Sequence, residues 1–233
     1  MALFSSSPIE ARYTLRVLAH LLRYPDTEFR ANVPEMQQAL KSEAALTPQR
    51  LTELDALLKH LAQHPALEVE SEYVELFDRG RRTALHLFEH VHGDSRDRGP
   101  AMIDLIQTYE KGGLYLSSEE LPDHLPVVLE FASTQPGAQA REFLGEIAHI
   151  VRTIFSALQA KNSPYASVLA AVLELAGEKA ETVALAPEPG MDEVWAEPEV
   201  FGGCSTEGQA KPGQPQPIHI VRNNSQPTQG ARQ

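Results

Sequence analysis

The spacing of apolar residues is the feature that most constrains the fold of this chain, because it follows a helical period over almost all of residues 1–186. Leu15, Leu18 and Leu22 form one such stripe, and leucines between 51 and 61 form another. Residues three and four apart share one face of an α-helix. No stretch alternates apolar and polar residues over several β-branched positions, as a half-buried strand does. We therefore predict an all-α helical-bundle domain of seven to nine helices.

Prolines and short polar residues mark the predicted helix boundaries. Asp26 precedes an apolar stripe and is expected to cap that helix, and Pro34 inside the stripe predicts a kink or a late helix start. Thr47-Pro48 and Ser163-Pro164 each place a capping residue before a proline at the first helical position. The remaining helices are expected over residues 48–65, 69–77, 100–111, 124–134, 138–161 and 163–179.

The composition changes near residue 186. Residues 187–233 hold seven of the 17 prolines and are rich in Gly, Gln and Asn. A segment of this kind cannot bury enough apolar surface to offset the entropy lost on ordering. We predict one helical domain over residues 1–186, followed by a flexible, mostly disordered tail over residues 187–233.

Charge and cysteine content exclude some kinds of partner and some kinds of metal site. The chain has 32 acidic and 20 basic residues, a formal charge of −12, which repels phosphate backbones and attracts basic peptides. Cys204 is the only cysteine, which excludes an internal disulfide and a cysteine-based zinc or iron–sulfur site within one chain. The sequence has neither a signal-peptide pattern nor an apolar run of the roughly 20 residues that span a bilayer. We expect a soluble cytoplasmic protein that does not bind nucleic acid or insert into a membrane.

An acid and a histidine stand side by side in the segment ELPDHLPVVLEF, residues 120–131. Pro126 suits the first turn of a helix, so Asp123 is expected to be the N-cap and to accept a hydrogen bond from the amide of Leu125. His124 would then lie exposed on the first turn, where the positive helix end lowers its pKa. Catalysis would require a nucleophile and an orienting group, and no such motif is present.

Residues 73–105 concentrate five arginines, several acids and three histidines beside aromatic residues. His86 and His90 are one helical turn apart, so together with His92 and Glu89 they could hold a metal, but the spacing matches no HExxH site. Alternatively, the arginines could clamp acids in a salt-bridged loop. Exposed ion pairs add only about 0–1 kcal/mol each, which leaves a polar recognition surface as the third interpretation.

These two stretches together resemble a known family. The run EYVELFDRGRRTALHLFEHVHGDSRDRGPAMIDLIQTYEKGGL, followed by ELPDHLPVVLEF, is similar to the nitrate reductase molybdenum-cofactor assembly chaperones. This NarJ/NarW or delta-subunit family is a branch of the redox-enzyme maturation chaperones. The resemblance covers roughly residues 10–202 and includes the segment WAEPEVFG at 195–202.

The resemblance implies an all-helical protein that is not an enzyme and holds neither a metal nor a cofactor of its own. It implies a cytoplasmic chaperone that binds the N-terminal peptide of the immature catalytic α-subunit until iron–sulfur cluster and molybdenum cofactor are inserted, before membrane attachment. Molybdenum-cofactor biosynthesis proteins are possible further partners, and a monomer or weak dimer is expected. The Pro-Asp-His element is the family signature and is associated with the peptide groove.

We expect the peptide to be a basic, partly apolar helix that lies in a groove, with acids such as Asp123 facing its basic residues. Protonation of His124 would then weaken binding of a cationic peptide. The residues predicted to bind the peptide are Tyr73, Phe77, Asp78, Arg82, Glu89, His90, His92, Asp94, Arg98, Glu120, Asp123 and His124.

Two other functional classes remain open from the sequence. A small helical metal-dependent hydrolase could use the histidines at 86, 90, 92 and 124 with Asp94 and Asp123. A permanent structural subunit of the reductase is the second alternative. Direct binding of the molybdenum cofactor through arginines is disfavoured, because the chain has no glycine-rich phosphate loop.

Overall fold

Helices carry the fold, as the apolar period predicts. The computed structural model describes residues 10–91, 97–117 and 120–185, and these ranges contain nine α-helices and one isolated antiparallel bridge between His86 and His124. The helices are α1 Arg12–Leu21, α2 Thr27–Glu43, α3 Pro48–Gln63, α4 Ala66–Tyr73, α5 Leu87–Val91, α6 Arg98–Lys111, α7 Leu125–Thr134, α8 Gly137–Ala160 and α9 Ala166–Ala176. The predicted boundary after residue 186 and the predicted tail lie outside the described residues.

Carboxylates accept hydrogen bonds from main-chain amides at three helix starts, and two of these carboxylates belong to another helix. Asp26 caps α2 as predicted, because its Oδ1 accepts a hydrogen bond of 2.8 Å from the amide of Phe29. Pro48 is the first residue of α3, but Thr47 makes no cap bond, and its own amide donates to Oε1 of Glu174 on α9 at 2.6 Å. At the start of α1, the carboxylate of Glu43 accepts from two amides at 3.0 and 2.6 Å. These carboxylates tie distant helices together while they satisfy free amides.

Four of the predicted boundaries need correction. Helix α2 begins at Thr27 and continues through Pro34, so a late start is wrong; Pro34 is exposed, while Val33 and Met36 are buried on either side of it. Residues 69–77 are not one α-helix, because α4 ends at Tyr73 and a π-helical turn follows over Val74–Asp78. Helix α9 begins at Ala166, three residues after Ser163, and it ends before Gly177, whose φ of +83° favours glycine.

The core centres on α8 and α9, which pack along one another. Helix α9 buries eight of its residues, and α1 packs on α7 while α2 contacts both α1 and α3. A smaller apolar cluster of Tyr109, Val127 and Phe131 joins α6 to α7, with Phe143 of α8 packed against it. No helix in the described ranges is long and apolar enough to cross a membrane.

Candidate functional site

The buried carboxylate of Asp123 joins three elements of the chain. It is fully buried, and its Oδ2 accepts a hydrogen bond from the amide of Phe88 at 3.2 Å. Its Oδ1 lies 3.4 Å from Nδ1 of His86, and Arg98 at the start of α6 places Nη2 3.8 Å from Oδ2. Asp123 therefore fixes α5, α6 and the segment before α7 relative to one another.

Main-chain bonds reinforce the same junction. The amide of Leu87 donates to the carbonyl of Asp123 at 3.0 Å, and the amide of Leu125 donates to the carbonyl of Leu85 at 2.9 Å. On the other side, the hydroxyl of Tyr109 in α6 donates to the carbonyl of Pro122 at 2.7 Å. All three residues of the Pro-Asp-His element thus belong to a buried or half-buried junction.

The predicted capping role of Asp123 is wrong. Residue His124, not Asp123, holds the N-cap position of α7, and no side chain caps this helix. The predicted exposed position of His124 is also wrong, because the ring is only partly exposed and stacks on His86, with centroids 4.9 Å apart. The physical reason is the strand-like pairing with residues 85–87, which draws residues 123 and 124 into the body of the protein.

The two stacked histidines have opposite electrostatic environments. The hydrogen bond to Asp123 raises the pKa of His86, helped by the charges of Asp123 and Glu89. Burial lowers the pKa of His124 to about 4, and the neighbouring His86 adds to that effect. His124 is therefore neutral near pH 7. The direction of its shift agrees with the prediction, but the dominant cause is loss of solvent rather than the helix dipole.

A cleft of about 360 Å³ opens beside this junction. Its wall contains the buried aromatic rings of Tyr73 and Phe77, whose centroids are 4.9 Å apart, and its rim carries the exposed carboxylates of Asp78 and Glu89. His124 also lines it. The cleft therefore brings together five of the twelve residues that the sequence singled out.

The other predicted residues lie around the cleft or elsewhere. Arg98 and Asp123 form the buried side of the junction, and Arg98 also lies 3.9 Å from Glu89. His90 turns its Nε2 to the carbonyl of Ala84 at 2.9 Å, and Glu120 pairs with Arg23 at 3.7 Å. Arg82 lies in the short turn Arg81–Thr83 and does not line the cleft. The two remaining predicted residues, His92 and Asp94, lie outside the described ranges.

The described residues contain no group of three or more His, Cys, Asp or Glu side chains arranged to hold a metal ion. His86 and His90 do not converge on one point, because His86 is directed to Asp123 and His90 to a main-chain carbonyl. The arginine clamp is present in part, since Arg98 bridges Glu89 and Asp123. Arg79 pairs locally with Glu75 at 3.2 Å.

Three residues of the site were missed as binding residues by sequence reasoning. His86 lines the cleft and pairs with Asp123, Leu85 lines it through a buried side chain, and Tyr109 holds Pro122 from α6. The sequence predicts a role for His86 only in a metal site. The pairing of residues 85–87 with residues 123–125 joins segments almost forty residues apart, and short-range periodicity carries no signal for such a contact.

Comparison with known proteins gives consistent matches. A family profile described as nitrate reductase delta subunit matches residues 23–171. The nitrate reductase molybdenum cofactor assembly chaperone NarJ of Escherichia coli (strain K12) is 39% identical over 196 residues, covering 80% of this chain and 83% of that protein. NarJ of Bacillus subtilis (strain 168) is 33% identical over 164 residues, covering 70% of this chain and 88% of that protein.

A solved structure agrees with the fold. The crystal structure of a candidate redox enzyme maturation protein from Archaeoglobus fulgidus superposes with a TM-score of 0.51 at 24% identity, covering 72% of this chain and 94% of that one. At this identity the likeness supports the all-helical fold alone. The family profile spans more than half of the chain, and the relatives match over most of their own length. The chain therefore belongs to the nitrate reductase delta subunit family.

Proposed function

We propose that this chain is a system-specific chaperone for the assembly of a nitrate reductase, and that it binds the N-terminal peptide of the immature catalytic α-subunit in the cytoplasm. In this role it supports molybdenum cofactor and iron–sulfur insertion and catalyses no reaction. Family membership supports the chaperone role. The observation that carries the peptide-binding role is the cleft, in which an aromatic wall and two exposed carboxylates adjoin the junction of Asp123.

The chemistry of the cleft suits a basic peptide with an apolar face. The rings of Tyr73 and Phe77 offer apolar surface, and Asp78 and Glu89 offer negative charge at the rim. Two arginines, at positions 79 and 81, also line the cleft, and the first of them is paired with Glu75 at 3.2 Å. An amphipathic helix that lays its apolar side chains against such a wall places its basic residues opposite the rim carboxylates. The electrostatic attraction adds mostly to the rate of association and to selectivity for basic partners.

Asp123 acts in this proposal as a positioning residue rather than a contact. Its carboxylate has no exposed surface and is already engaged by Phe88, His86 and Arg98. A peptide cation could reach it only by displacing those partners, which would leave buried charges unpaired. Its role is to hold the histidine pair and Glu89, through Arg98, at the edge of the cleft.

His86 replaces His124 as the group that makes peptide binding depend on pH. His86 lines the cleft beside Glu89, and its pKa is raised by the bond to Asp123. His124 stays neutral until about pH 4 because it is buried. Acidification below the raised pKa of His86 therefore adds positive charge next to the cleft and weakens the binding of a cationic peptide.

Isothermal titration calorimetry with the N-terminal peptide of the cognate α-subunit tests the proposal. Asp78→Asn combined with Glu89→Gln removes the rim charge with little change in shape, and we expect the affinity to fall by about tenfold. The matched control combines Glu35→Gln with Glu68→Gln, two exposed carboxylates on α2 and α4 that do not line the cleft. This control changes the net charge equally and is expected to bind normally.

Two results would contradict the proposal. If the wild-type chain showed no heat of binding with the α-subunit peptide, the chaperone role at this peptide would be wrong. If both double variants lost the same affinity, general attraction to an acidic protein would explain binding, and the cleft would not be its location.

A further inference from the structure

A second groove runs between α6 and α8, away from the cleft. It has a volume of about 510 Å³, and no residue that lines it also lines the cleft. Ala101 and Leu105 of α6 and Phe143 of α8 contribute apolar surface at its base. Asp104 on one wall and Glu142 and Glu146 on the other are exposed carboxylates, and no Lys or Arg is among its lining residues.

The α8 wall of this groove has one feature that is unfavourable for the chain on its own. Glu142 and Glu146 are one helical turn apart, and like charges at that spacing repel one another.

We propose that the groove between α6 and α8 is a docking site for a cationic amphipathic helix of a partner protein, distinct from the peptide site in the cleft. The apolar face of such a helix covers Leu105 and Phe143, and its basic side chains reach the carboxylates on both walls. Binding relieves the repulsion between Glu142 and Glu146.

The net negative charge of the chain disfavours a second copy as the occupant of the groove. The chain carries a formal charge of −12, so two copies repel one another, and an acidic surface on one copy would meet an acidic surface on the other. A helix rich in Lys or Arg is favoured by the same charge. The groove extends from Ala101 to Thr108 on α6, which corresponds to about 10 Å or two helical turns. An occupant therefore places about three apolar side chains in it, at i, i+3 or i+4, and i+7.

A designed probe tests this site without knowledge of the natural partner. The probe is an amidated 18-residue peptide of leucine and lysine with its leucines at i, i+3, i+4 and i+7, carrying a fluorophore for anisotropy (about 27 Å when helical). A shuffled peptide of the same composition has no apolar face and serves as the peptide control. We expect the full chain to bind the amphipathic probe at least tenfold more tightly than the shuffled one.

Two pairs of charge-reversal variants show where on the chain the probe binds. Glu142→Lys with Glu146→Lys reverses two exposed charges on the groove and should weaken the probe at least tenfold. Glu35→Lys with Glu68→Lys makes the same change in net charge away from both sites and should weaken it less than threefold. If the double lysine variant on α8 does not fold, Glu142→Gln with Glu146→Gln replaces it, with a smaller loss of about threefold to fivefold.

Location is tested in a background that weakens the cleft. Because the cleft is itself proposed to bind a basic amphipathic helix, the lysine pairs are also compared in a chain that carries Asp78→Asn and Glu89→Gln, where the loss from the α8 pair should remain at least tenfold. Equal losses from both lysine pairs, or no loss from the α8 pair in this background, would each overturn the proposal. None of these outcomes bears on whether the α-subunit peptide binds in the cleft.

Discussion

Helices α9 and α6 show how differently two parts of one domain are held. Helix α9 has 11 residues, and eight of them are buried, all apolar. Helix α6 has 14 residues, and Tyr109 is its only buried one, while Ile103 is more than half exposed. The comparison separates a helix whose place is fixed by apolar burial from one that depends on a small cluster and a few polar bonds.

This difference in burial bears on where partner-binding surfaces can lie. The apolar burial around α9 contributes strongly to the free energy of unfolding, because buried apolar area dominates that balance. Helix α6 forms a wall of the proposed groove, and through Arg98 and Tyr109 it also supports the Pro-Asp-His element beside the cleft. Surfaces proposed to bind partners thus lie on the less buried part of the molecule, where apolar side chains can remain accessible.

The largest expected effect comes from shortening a buried side chain of α9. Leu169→Ala removes apolar contacts at a fully buried position and should lower the free energy of unfolding by about 4 kcal/mol, within the usual range of about 2–5 kcal/mol. Ile103→Ala on α6 should change it by less than about 0.5 kcal/mol, because that side chain is exposed. Urea denaturation followed by circular dichroism measures both. Equal losses would mean that α6 is packed as firmly as α9.

The next effect concerns the polar junction that holds α6. Asp123→Ala should lower the free energy of unfolding by about 2 kcal/mol, because it leaves the amide of Phe88 without its acceptor and Arg98 without its buried partner. Hydrogen exchange should become faster in α5 and α6 and stay unchanged in α9.

Glu120→Ala is the matched control for Asp123→Ala, because it removes a carboxylate only three residues away. Its contact with Arg23 is partly exposed and 3.7 Å long, so we expect a loss of less than about 1 kcal/mol. If Asp123→Ala altered exchange in α9 as much as in α6, the junction would support the whole domain rather than its α6 side.

Sequence reasoning predicted the strongly apolar part of the fold well and the polar junction poorly. The all-α class, the cap at Asp26 and the long helix α8 follow from local periodicity and turn chemistry, which are properties of neighbouring residues. The burial of Asp123 depends on its pairing with residues 86–88, which lie 35 or more positions earlier. Within the segment 120–131, Asp123 has the local sequence pattern of an N-cap. Its tertiary contacts with residues 86–88 outweigh this local preference for capping.

The histidine pair gives a smaller, pH-dependent effect at the same junction. The raised pKa of His86 stabilises the fold below pH 6.5, and this contribution is lost as pH rises through that raised pKa. The lowered pKa of His124 stabilises the fold above pH 6.5, and this contribution is lost as pH falls from 6.5 to about 4. The two contributions change in different pH ranges and do not cancel, so the stability that the pair adds is greatest near pH 6.5 and falls on either side.

Nuclear magnetic resonance of the imidazole rings resolves the two histidines. His86 should titrate above its usual pKa and His124 near 4, and Asp123→Asn should lower the pKa of His86 because its negatively charged partner is lost. Titration of His124 close to the ordinary histidine pKa of 6.5 would contradict the burial that defines the junction.

The smallest effect isolates one hydrogen bond between α6 and the Pro-Asp-His element. Tyr109→Phe keeps the ring against Phe131, whose centroid is 4.7 Å away, and removes only the hydroxyl that donates to the carbonyl of Pro122. We expect the free energy of unfolding to fall by about 1 kcal/mol, because a buried carbonyl loses its partner. Tyr115→Phe makes the same chemical change at an exposed site and should stay within about 0.5 kcal/mol of wild type. Equal free energies of unfolding for the two variants in urea denaturation would show that apolar contacts alone hold α6. The two helices α6 and α9 would then differ only in how many of their residues are buried.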